Sequence, residues 1–499
     1  MRNLQDIEAF EKTPWQDRCS GQSTYEMFCH SAARFSDRSA LKFQFTASVE
    51  EQPIEVSYRE LLEKINQAAN ALHGAGVGVG GVTSIILPNL PQNHYALWGG
   101  EALGIAGPIN SMLKPVALRD IMIESGTEVL VVLGPIAGVD IWEKTIGIVD
   151  QVPSLKAVFQ VNIFGADSNA DTQTPGGLPI LDFDTQLQQQ PVDKLIFQRD
   201  IKPDDIATYF HTGGTTGTPK IAQLSHRNQV FVASVIADQF DCDENTVAIC
   251  GLPMFHVNAV FITGLNVFAR GGQSIILSPA GFRTSGLVDN LWQLINKYQA
   301  NFFSTVPTIV SALLKTVPED KSLISSMQYV ACGAAPIAPE TLRQFAELTG
   351  ITVLEGYGMT EGTCTSSLNP QHGERRVGSI GLRLPYQAMK CVVLSEDGRY
   401  LRDCELEEQG VIVVKGPNVF SGYKNASNNV GAFIDDWLVT GDLARQDKDG
   451  YFWLTGRAKD LIIRGGHNID PKVIEDVLSN HPAVELVAAI GQPDAYAGE

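Results

Sequence analysis

A segment dense in glycine and threonine is the strongest chemical signal in the chain. It reads Tyr209-Phe-His-Thr-Gly-Gly-Thr-Thr-Gly-Thr-Pro-Lys220, with three glycines and four threonines in the nine residues from Thr212 to Lys220. Glycine lets successive backbone N–H groups turn toward one point, and the hydroxyls and the lysine add donors and a positive charge. The pattern predicts a loop that binds phosphate groups. It is not a Walker A loop, because no Gly-Lys-Ser/Thr follows at the required spacing.

Further segments with aromatic, carboxylate or glycine residues follow in a fixed order. They are Pro253-Met-Phe-His256, Gly333-Ala-Ala-Pro336, Tyr357-Gly-Met-Thr-Glu361, Thr440-Gly-Asp442, Gly456-Arg457-Ala-Lys459-Asp460 and Arg464-Gly-Gly-His-Asn-Ile469. The sequence shows no Ser-His-Asp or Cys-His arrangement of a protein nucleophile. Reactions at phosphorus need positioning and charge neutralisation more than a protein nucleophile, so these residue types suit that chemistry.

With these segments in this order, the sequence resembles the adenylate-forming superfamily of acyl-CoA synthetases, firefly luciferases and peptide-synthetase adenylation domains. The resemblance runs from about Thr24 to Glu499. It implies that a carboxylate attacks the α-phosphorus of ATP, which gives an acyl-adenylate and pyrophosphate, and that a thiol then displaces AMP. It also implies ATP, Mg²⁺ and coenzyme A as the small molecules that the protein uses.

The resemblance assigns the nucleotide to specific residues. The ATP phosphates would lie against Thr212, Gly213, Gly214, Thr215, Thr216, Gly217 and Lys220. Adenine would lie between the ring of Tyr357 and the backbone of Gly333, Ala334 and Ala335, since an aromatic face suits a base. Thr360 would bind the α-phosphate, and Glu361 would hold magnesium, which takes oxygen ligands. Asp442 would accept both ribose hydroxyls, supported by Arg457.

The acid and the thiol are assigned in the same way. His256 would lie between the reacting carboxylate and the entrance for the pantetheine arm of coenzyme A, and Val257 and Asn258 begin the run that would line the acid pocket. The loop after the hinge would contribute Arg464, Gly465 and Gly466. Lys459 would be the hinge about which a C-terminal lid swings between the two half-reactions.

The elements that must position these residues follow from hydrophobic patterning. From about Ser84 the chain alternates apolar strands and helices, for example a strand at 84–87, a helix at 92–103 and a buried strand at 129–133. Such a series predicts doubly wound parallel sheets. A second series covers 286–354, and after about Val377 short strands with Asp-Gly turns at 397–398 and 449–450 predict an antiparallel β subdomain. The polar stretch 165–177 predicts a surface loop.

This patterning predicts an α/β protein, and the resemblance implies a large N-terminal domain followed by a partial α+β lid. The N-terminal domain spans 1–455, with α/β lobes at about 1–200 and 201–375 and the β subdomain at about 376–455. Residues 456–499 would be the hinge and the first part of a lid that in the family is on the order of a hundred residues long. The family's lid lysine would follow Glu499, so we expect slow adenylation by this chain.

Composition limits the remaining function classes. The net charge of −19 argues against nucleic-acid binding, and any ATP or coenzyme A site must supply its own cations. Eight cysteines without metal-ligand spacing, and no signal peptide or bilayer-length apolar run, predict a cytoplasmic protein with reduced thiols. Peripheral membrane contact and a homo-oligomer both stay open.

Two observations bear on which acid is used. Amino-acid-activating relatives usually carry Asp at the position of His256, so an α-amino acid is disfavoured. The run 257–261 is mostly apolar, which suits a fatty, alicyclic or aryl acid. The main prediction is therefore an acyl-CoA ligase. The alternatives are a domain that loads a carrier protein, a luciferase-type oxygenase, and a degenerate nucleotide-binding protein without the lid lysine.

Overall fold

A computed structural model describes most of the chain. The described residues are 1–163, 172–212, 219–395, 397–458, 460, 462–464, 467–469, 471–479, 484 and 487–492. The predicted loop at 165–177 is therefore covered only from residue 172. Among the described helices, none combines the length and the apolar composition needed to cross a membrane. All eight cysteines are free thiols.

The first of two large α/β sheets has seven strands. In spatial order they are Ile180–Asp182, Ala157–Val161, Thr127–Leu133, Val82–Ile86, Ile105–Pro108, Ile206–Thr212 and Lys220–Ser225. All neighbours are parallel except the last pair, which is an antiparallel hairpin. Val82–Ile86 is buried along its whole length. Complete burial is typical of a parallel sheet covered on both faces, which explains the apolar runs.

The second large sheet has nine strands. In spatial order they are Leu382–Arg383, Ser367–Leu368, Thr352–Tyr357, Tyr329–Cys332, Phe302–Thr305, Val247–Cys250, Gln273–Leu277, Ser39–Gln44 and Ile54–Ser57. Its central strands are parallel and both of its edges are antiparallel. The predicted second α/β series at 286–354 contributes the strands Phe302–Thr305, Tyr329–Cys332 and Thr352–Tyr357.

Two antiparallel sheets complete the described strands. The larger contains Tyr400–Asp403, Ala388–Leu394, Gly410–Lys415, Trp437–Gln446 and Phe433–Ile434, with Phe452–Arg457 also paired to Trp437–Gln446. Gly398 and Gly450 take φ values of 78° and 90° in the predicted Asp-Gly turns, a conformation that favours glycine. The smaller is the hairpin of Ile462–Arg464 and His467–Ile469.

The helices have local signals at their ends. The α-helices are Leu4–Phe10, Thr24–Phe35, Tyr58–Gly74, Pro91–Leu103, Pro115–Ser125, Ile141–Val149, Phe183–Gln188, His226–Gln239, Val257–Val260, Asn266–Phe268, Leu287–Tyr298, Pro307–Leu314, Pro339–Thr349 and Pro471–Ser479. Ser57 and Ser225 each begin a helix through a capping box. Five of these helices begin at a proline, whose missing N–H costs nothing in the first turn.

The predicted fold class is confirmed: two α/β lobes precede an antiparallel β subdomain. The strands of the two sheets nevertheless do not separate at residue 200, the predicted boundary between the two α/β lobes. Ser39–Gln44 and Ile54–Ser57 belong to the nine-stranded sheet, whereas Ile206–Thr212 and Lys220–Ser225 belong to the seven-stranded one. Alternation along the chain could not reveal this, because strand pairing is non-local. The division into domains stays a prediction.

Candidate active site

A single cleft of about 950 Å³ collects most of the described residues that the sequence singled out. Its wall includes Thr212, Lys220, His256, Val257, Asn258, Gly333, Ala334, Tyr357, Thr360, Glu361, Asp442 and Arg457. Ala335 is exposed and is not among the residues of this wall, and its predicted place beside adenine stays a prediction. Gly213, Gly214, Thr215, Thr216, Gly217, Lys459, Gly465 and Gly466 lie outside the described residues. Arg464 ends a described strand, but its side chain is not described.

The carboxylate of Asp442, on the cleft wall, is contacted by two donor side chains. The Tyr357 hydroxyl donates to Asp442 Oδ2 at 2.6 Å, and Arg457 Nε lies 2.9 Å from Asp442 Oδ1. Burial and the nearby negative charge of Asp442 raise the pKa of Tyr357 well above its ordinary value. Tyr357 therefore stays a hydrogen-bond donor at every physiological pH. Each oxygen of Asp442 keeps a further lone pair for another donor.

A second carboxylate lies in the 3₁₀ turn Thr360–Gly362. Glu361 is 8% exposed, and its Oε1 accepts from the Tyr423 hydroxyl at 2.5 Å. The Glu361 backbone carbonyl accepts from Phe420 N at 2.9 Å, which fixes the turn against the β subdomain. Among the described residues, no basic side chain lies within salt-bridge distance of Glu361. A buried carboxylate without a basic partner is suited to coordinate a cation.

Lys220 is joined to the same cluster through an aromatic ring. Its Nζ lies 4.9 Å from the centroid of the Tyr423 ring. Backbone bonds from Lys424 N to Ile221 O (2.9 Å) and from Gln223 N to Gly422 O (3.2 Å) hold the Tyr423 segment along the strand that begins at Lys220. The lysine of the glycine-rich segment and the carboxylate of Glu361 therefore both contact one tyrosine, Tyr423.

His256 lies on another part of the cleft wall, in a segment fixed by a buried asparagine. Asn89 Nδ2 donates to Leu252 O at 2.9 Å, and Met254 N donates to Asn89 Oδ1 at 3.0 Å. Desolvation and the positive charge of Arg283 lower the pKa of His256. Nearby, burial and His256 lower the pKa of His211 to about 4, and His211 Nε2 accepts from Asn110 N at 2.9 Å. His256 is therefore neutral at pH 7.

Five apolar residues of the cleft wall belong to the main hydrophobic core, and we term the part of the cleft that they line the apolar arm. Its wall is formed by Phe240, Ile262, Ala331, Leu354 and Leu368. All five are less than 9% exposed. Ala331 and Leu354 are cross-strand partners, and the Phe240 ring stacks on Tyr329 with centroids 4.9 Å apart. The arm can bury an apolar group that is attached to whatever binds in the cleft.

The helix that begins at Val257 changes its winding inside this wall. Val257–Val260 is α-helical, Phe261–Leu265 is π-helical, and Asn266–Phe268 is α-helical again. A π-helical turn inserts an extra residue and is frequent at functional sites. Here it includes Ile262 of the apolar arm.

Sequence reasoning missed three residues of the site. Tyr423 bonds to Glu361, Arg283 lies on the cleft wall, and Asn89 holds the His256 segment. Each acts through contacts with residues more than 25 positions away, and none stands in a motif that signals chemistry. The sequence offers a weak signal only for Tyr423, which follows a glycine and precedes a lysine.

Comparison with known proteins places this cleft in a family. The family described as AMP-binding enzyme matches residues 28–424. Marinolic acid–CoA ligase of Pseudoalteromonas sp. (strain SANK 73390) is 36% identical over 506 residues, which covers 100% of this chain and 75% of the relative. Long-chain-fatty-acid–CoA ligase of Bacillus subtilis (strain 168) is 30% identical over 488 residues, or 94% of this chain and 82% of the relative.

A solved structure agrees with these relatives. ATP-bound MatB from Rhodopseudomonas palustris superimposes with a TM-score of 0.80 at 26% identity, covering 95% of this chain and 87% of MatB. The predicted family and enzyme class are thereby confirmed. The chain belongs to the AMP-binding enzyme family and is an AMP-forming acid–thiol ligase, which converts a carboxylic acid to an acyl-adenylate and then to an acyl-CoA.

Proposed function

We propose that the acid activated by this ligase carries an apolar acyl group that lies in the apolar arm. The arm is the single observation that carries the proposal: its five wall residues line the same cleft as His256 and Thr360 and belong to the main hydrophobic core. Apolar walls with a few polar groups at one end are typical of sites for small amphipathic ligands. A fatty, alicyclic or aryl acid would place its carboxylate in the cleft and its apolar part in the arm.

The adenosine half of ATP would lie against Tyr357 and Asp442. Tyr357 and Arg457 already align the carboxylate of Asp442, and the free lone pairs of that carboxylate suit the two ribose hydroxyls. Gly333 and Ala334 would face adenine from the other side. Ala334 has a φ of 68°, a strained conformation that tends to persist at ligand sites.

The phosphates would lie between Lys220 and Thr360, with Thr212 at the start of the glycine-rich segment. Glu361 fits a magnesium ion, because its buried carboxylate has a hydroxyl donor and no basic partner among the described residues. A bound Mg²⁺ would neutralise phosphate charge. Lys220 adds a positive charge beside the same phosphates.

In the first half-reaction an oxygen of the acid would form a bond to the α-phosphorus as the bond to pyrophosphate breaks. Thr360 would hold the α-phosphate, and Lys220 would stabilise negative charge on the leaving pyrophosphate. In the second half-reaction the thiol sulfur of coenzyme A would bond to the acyl carbon as AMP leaves. The neutral imidazole of His256 would accept a hydrogen bond from that thiol.

We also propose that the protein is located in the cytoplasm. Eight free cysteines are compatible with a reducing environment, and their pattern supports a cytoplasmic location.

Calorimetric titration with non-hydrolysable acyl-adenylate analogues tests the proposal. We expect affinity to increase along a series of longer acyl chains and to exceed that of AMP, because each buried methylene contributes about 0.8 kcal/mol. The gain should end when the chain fills the arm. Equal affinity for AMP and for every acyl analogue would show that the arm does not receive the acyl group.

A further inference from the structure

A buried asparagine holds the 3₁₀ turn that contains Thr360 and Glu361. Asn418 is fully buried, and its Nδ2 donates to Gly362 O at 3.1 Å. The Asn418 backbone carbonyl accepts from Thr363 Oγ1 at 2.6 Å. Asn418 therefore bonds to the two residues that directly follow Glu361, and it is not itself among the residues of the cleft wall.

The backbone after Glu361 is strained, so its position depends on such contacts. Thr363 and Cys364 take φ values of 52° and 84°, in the left-handed region that residues other than glycine rarely adopt. Strained residues persist where the surrounding structure fixes them, and they cluster at ligand sites. The bond from Thr363 N to Thr360 O at 3.0 Å closes the turn on itself, so contacts from outside the turn must fix its position. Asn418 supplies two of these contacts.

A second buried asparagine, Asn228, fixes the chain on both sides of the first. Its Nδ2 donates to Pro417 O at 2.7 Å and to Val419 O at 3.0 Å. Its Oδ1 accepts from Ser225 N at 2.9 Å, where the strand Lys220–Ser225 ends. Side-chain hydrogen bonds therefore connect the strand that begins with the lysine of the glycine-rich segment to the turn that contains the buried glutamate.

We propose that Asn418 is a positioning residue for adenylation, which holds the turn Thr360–Gly362 in the conformation that binds the α-phosphate and magnesium. The inference rests on the proposed magnesium site at Glu361. Two neighbours of Asn418 in the chain contact Glu361 directly, through Phe420 N to its backbone oxygen at 2.9 Å and through the Tyr423 hydroxyl to its Oε1. Those contacts act on Glu361 itself, whereas Asn418 acts on the strained backbone that follows it.

Calorimetric titration with ATP, with and without Mg²⁺, tests the inference, and adenosine is the ligand that lacks the phosphates. Asn418→Ala removes the donor to Gly362 O and to Gln387 Oε1. Apparent affinity falls in proportion to the fraction of protein in the binding conformation, so a turn held about one tenth of the time binds about tenfold more weakly. We expect this loss for ATP with Mg²⁺, a smaller loss for ATP without Mg²⁺, and no change for adenosine.

The matched control is Asn70→Ala. Asn70 is also fully buried, and its Nδ2 donates to Lys194 O at 2.9 Å and to Pro191 O at 3.3 Å, outside the cleft wall. Both changes should lower the melting temperature, because each removes the hydrogen bonds of a buried side chain. Only Asn418→Ala should reduce the gain in ATP affinity that Mg²⁺ provides. An equal reduction in the two variants, or none in either, would overturn the positioning role.

Thr363→Val is the second test variant, and it decides the matter if Asn418→Ala does not fold. Valine has nearly the shape of threonine, so this change removes only the hydroxyl bond to Asn418 O. We expect a loss of the same kind but smaller, about threefold for ATP with Mg²⁺. An unchanged gain from Mg²⁺ in Thr363→Val would contradict the inference.

Glu361→Gln separates this inference from the magnesium proposal on which it rests. If Mg²⁺ strengthens ATP binding equally in Glu361→Gln and in the unaltered protein, the magnesium site is wrong and the inference falls with it. If Glu361→Gln loses the gain from Mg²⁺ while Asn418→Ala and Thr363→Val keep it, the magnesium site stands and only the positioning role is wrong.

Discussion

Replacement of Asp442 by Asn tests the nucleotide side of the site most sharply. The carboxylate oxygens of Asp442 accept from Tyr357 and Arg457, and each keeps one lone pair for a ribose hydroxyl. Asparagine has the same shape but only one acceptor oxygen. Arg457 cannot accept a hydrogen bond, so the remaining oxygen must face it and the new NH₂ group must face the Tyr357 hydroxyl. One ribose hydroxyl therefore loses its acceptor.

The size of the effect follows from this count. A hydrogen bond to a charged acceptor contributes about 1.5–3 kcal/mol, which corresponds to about a 10- to 150-fold weaker Kd for AMP. The loss of the ion pair with Arg457 adds little, because the Arg457 side chain is 65% exposed. Asp442 is 8% exposed, so the ribose bonds would form in a largely desolvated environment.

The assay is calorimetric titration of both proteins with AMP and with 2′,3′-dideoxy-AMP. Asp442→Asn should weaken AMP by the stated factor and change the affinity for the dideoxy ligand by less than about threefold, consistent with a weak surface ion pair. This cycle isolates the hydroxyl contacts, because folding effects cancel between the two ligands. Equal losses for both ligands would refute the ribose assignment.

Three further variants test other parts of the account. Tyr423→Phe removes the hydroxyl bonded to Glu361 and should weaken ATP binding about tenfold with Mg²⁺ present and less without it. The matched control is Tyr209→Phe, because the Tyr209 ring lies beside Lys424 instead. If titration with ATP shows equal effects of the two changes, Tyr423 has no role at the cation. Ala331→Leu fills the apolar arm, so calorimetry should show lost affinity for long acyl-adenylate analogues and unchanged affinity for AMP; weaker binding of AMP would indicate a misfolded cleft. Glu101 is fully buried, and burial raises its pKa to about 7, so the folded state holds a proton that the unfolded state loses above about pH 4.5. Stability should therefore fall as pH rises toward 7, by up to about 3 kcal/mol, and Glu101→Gln should melt at a higher temperature than the unaltered protein at pH 8 but not at pH 5; the same difference at both pH values would contradict this.

Local patterning predicted the elements because their signals are local. The helix Pro339–Thr349 begins at a proline and ends at Gly350 with a φ of 73°, and both residues are visible in the sequence. The buried strands are continuous apolar runs. The π-helical turn Phe261–Leu265 has no such signal, because its winding depends on the packing around it.

The candidate site was predictable where a residue acts through its own motif. Lys220, Tyr357, Glu361 and Asp442 lie on one cleft, as their motif order indicates. Tyr423 could not be found in this way, because its role depends on a hydroxyl contact with Glu361, 62 positions away. Arg283 was missed because its place on the cleft wall can be recognised only when its surroundings are known.

A crystal structure of the protein with a long-chain acyl-sulfamoyl adenosine would test the central claim most directly. The account predicts ribose hydroxyls within hydrogen-bond distance of Asp442, adenine against Tyr357, and the acyl chain between Leu354 and Phe240 in the apolar arm. An acyl chain directed to solvent, or adenosine bound away from Asp442, would contradict it.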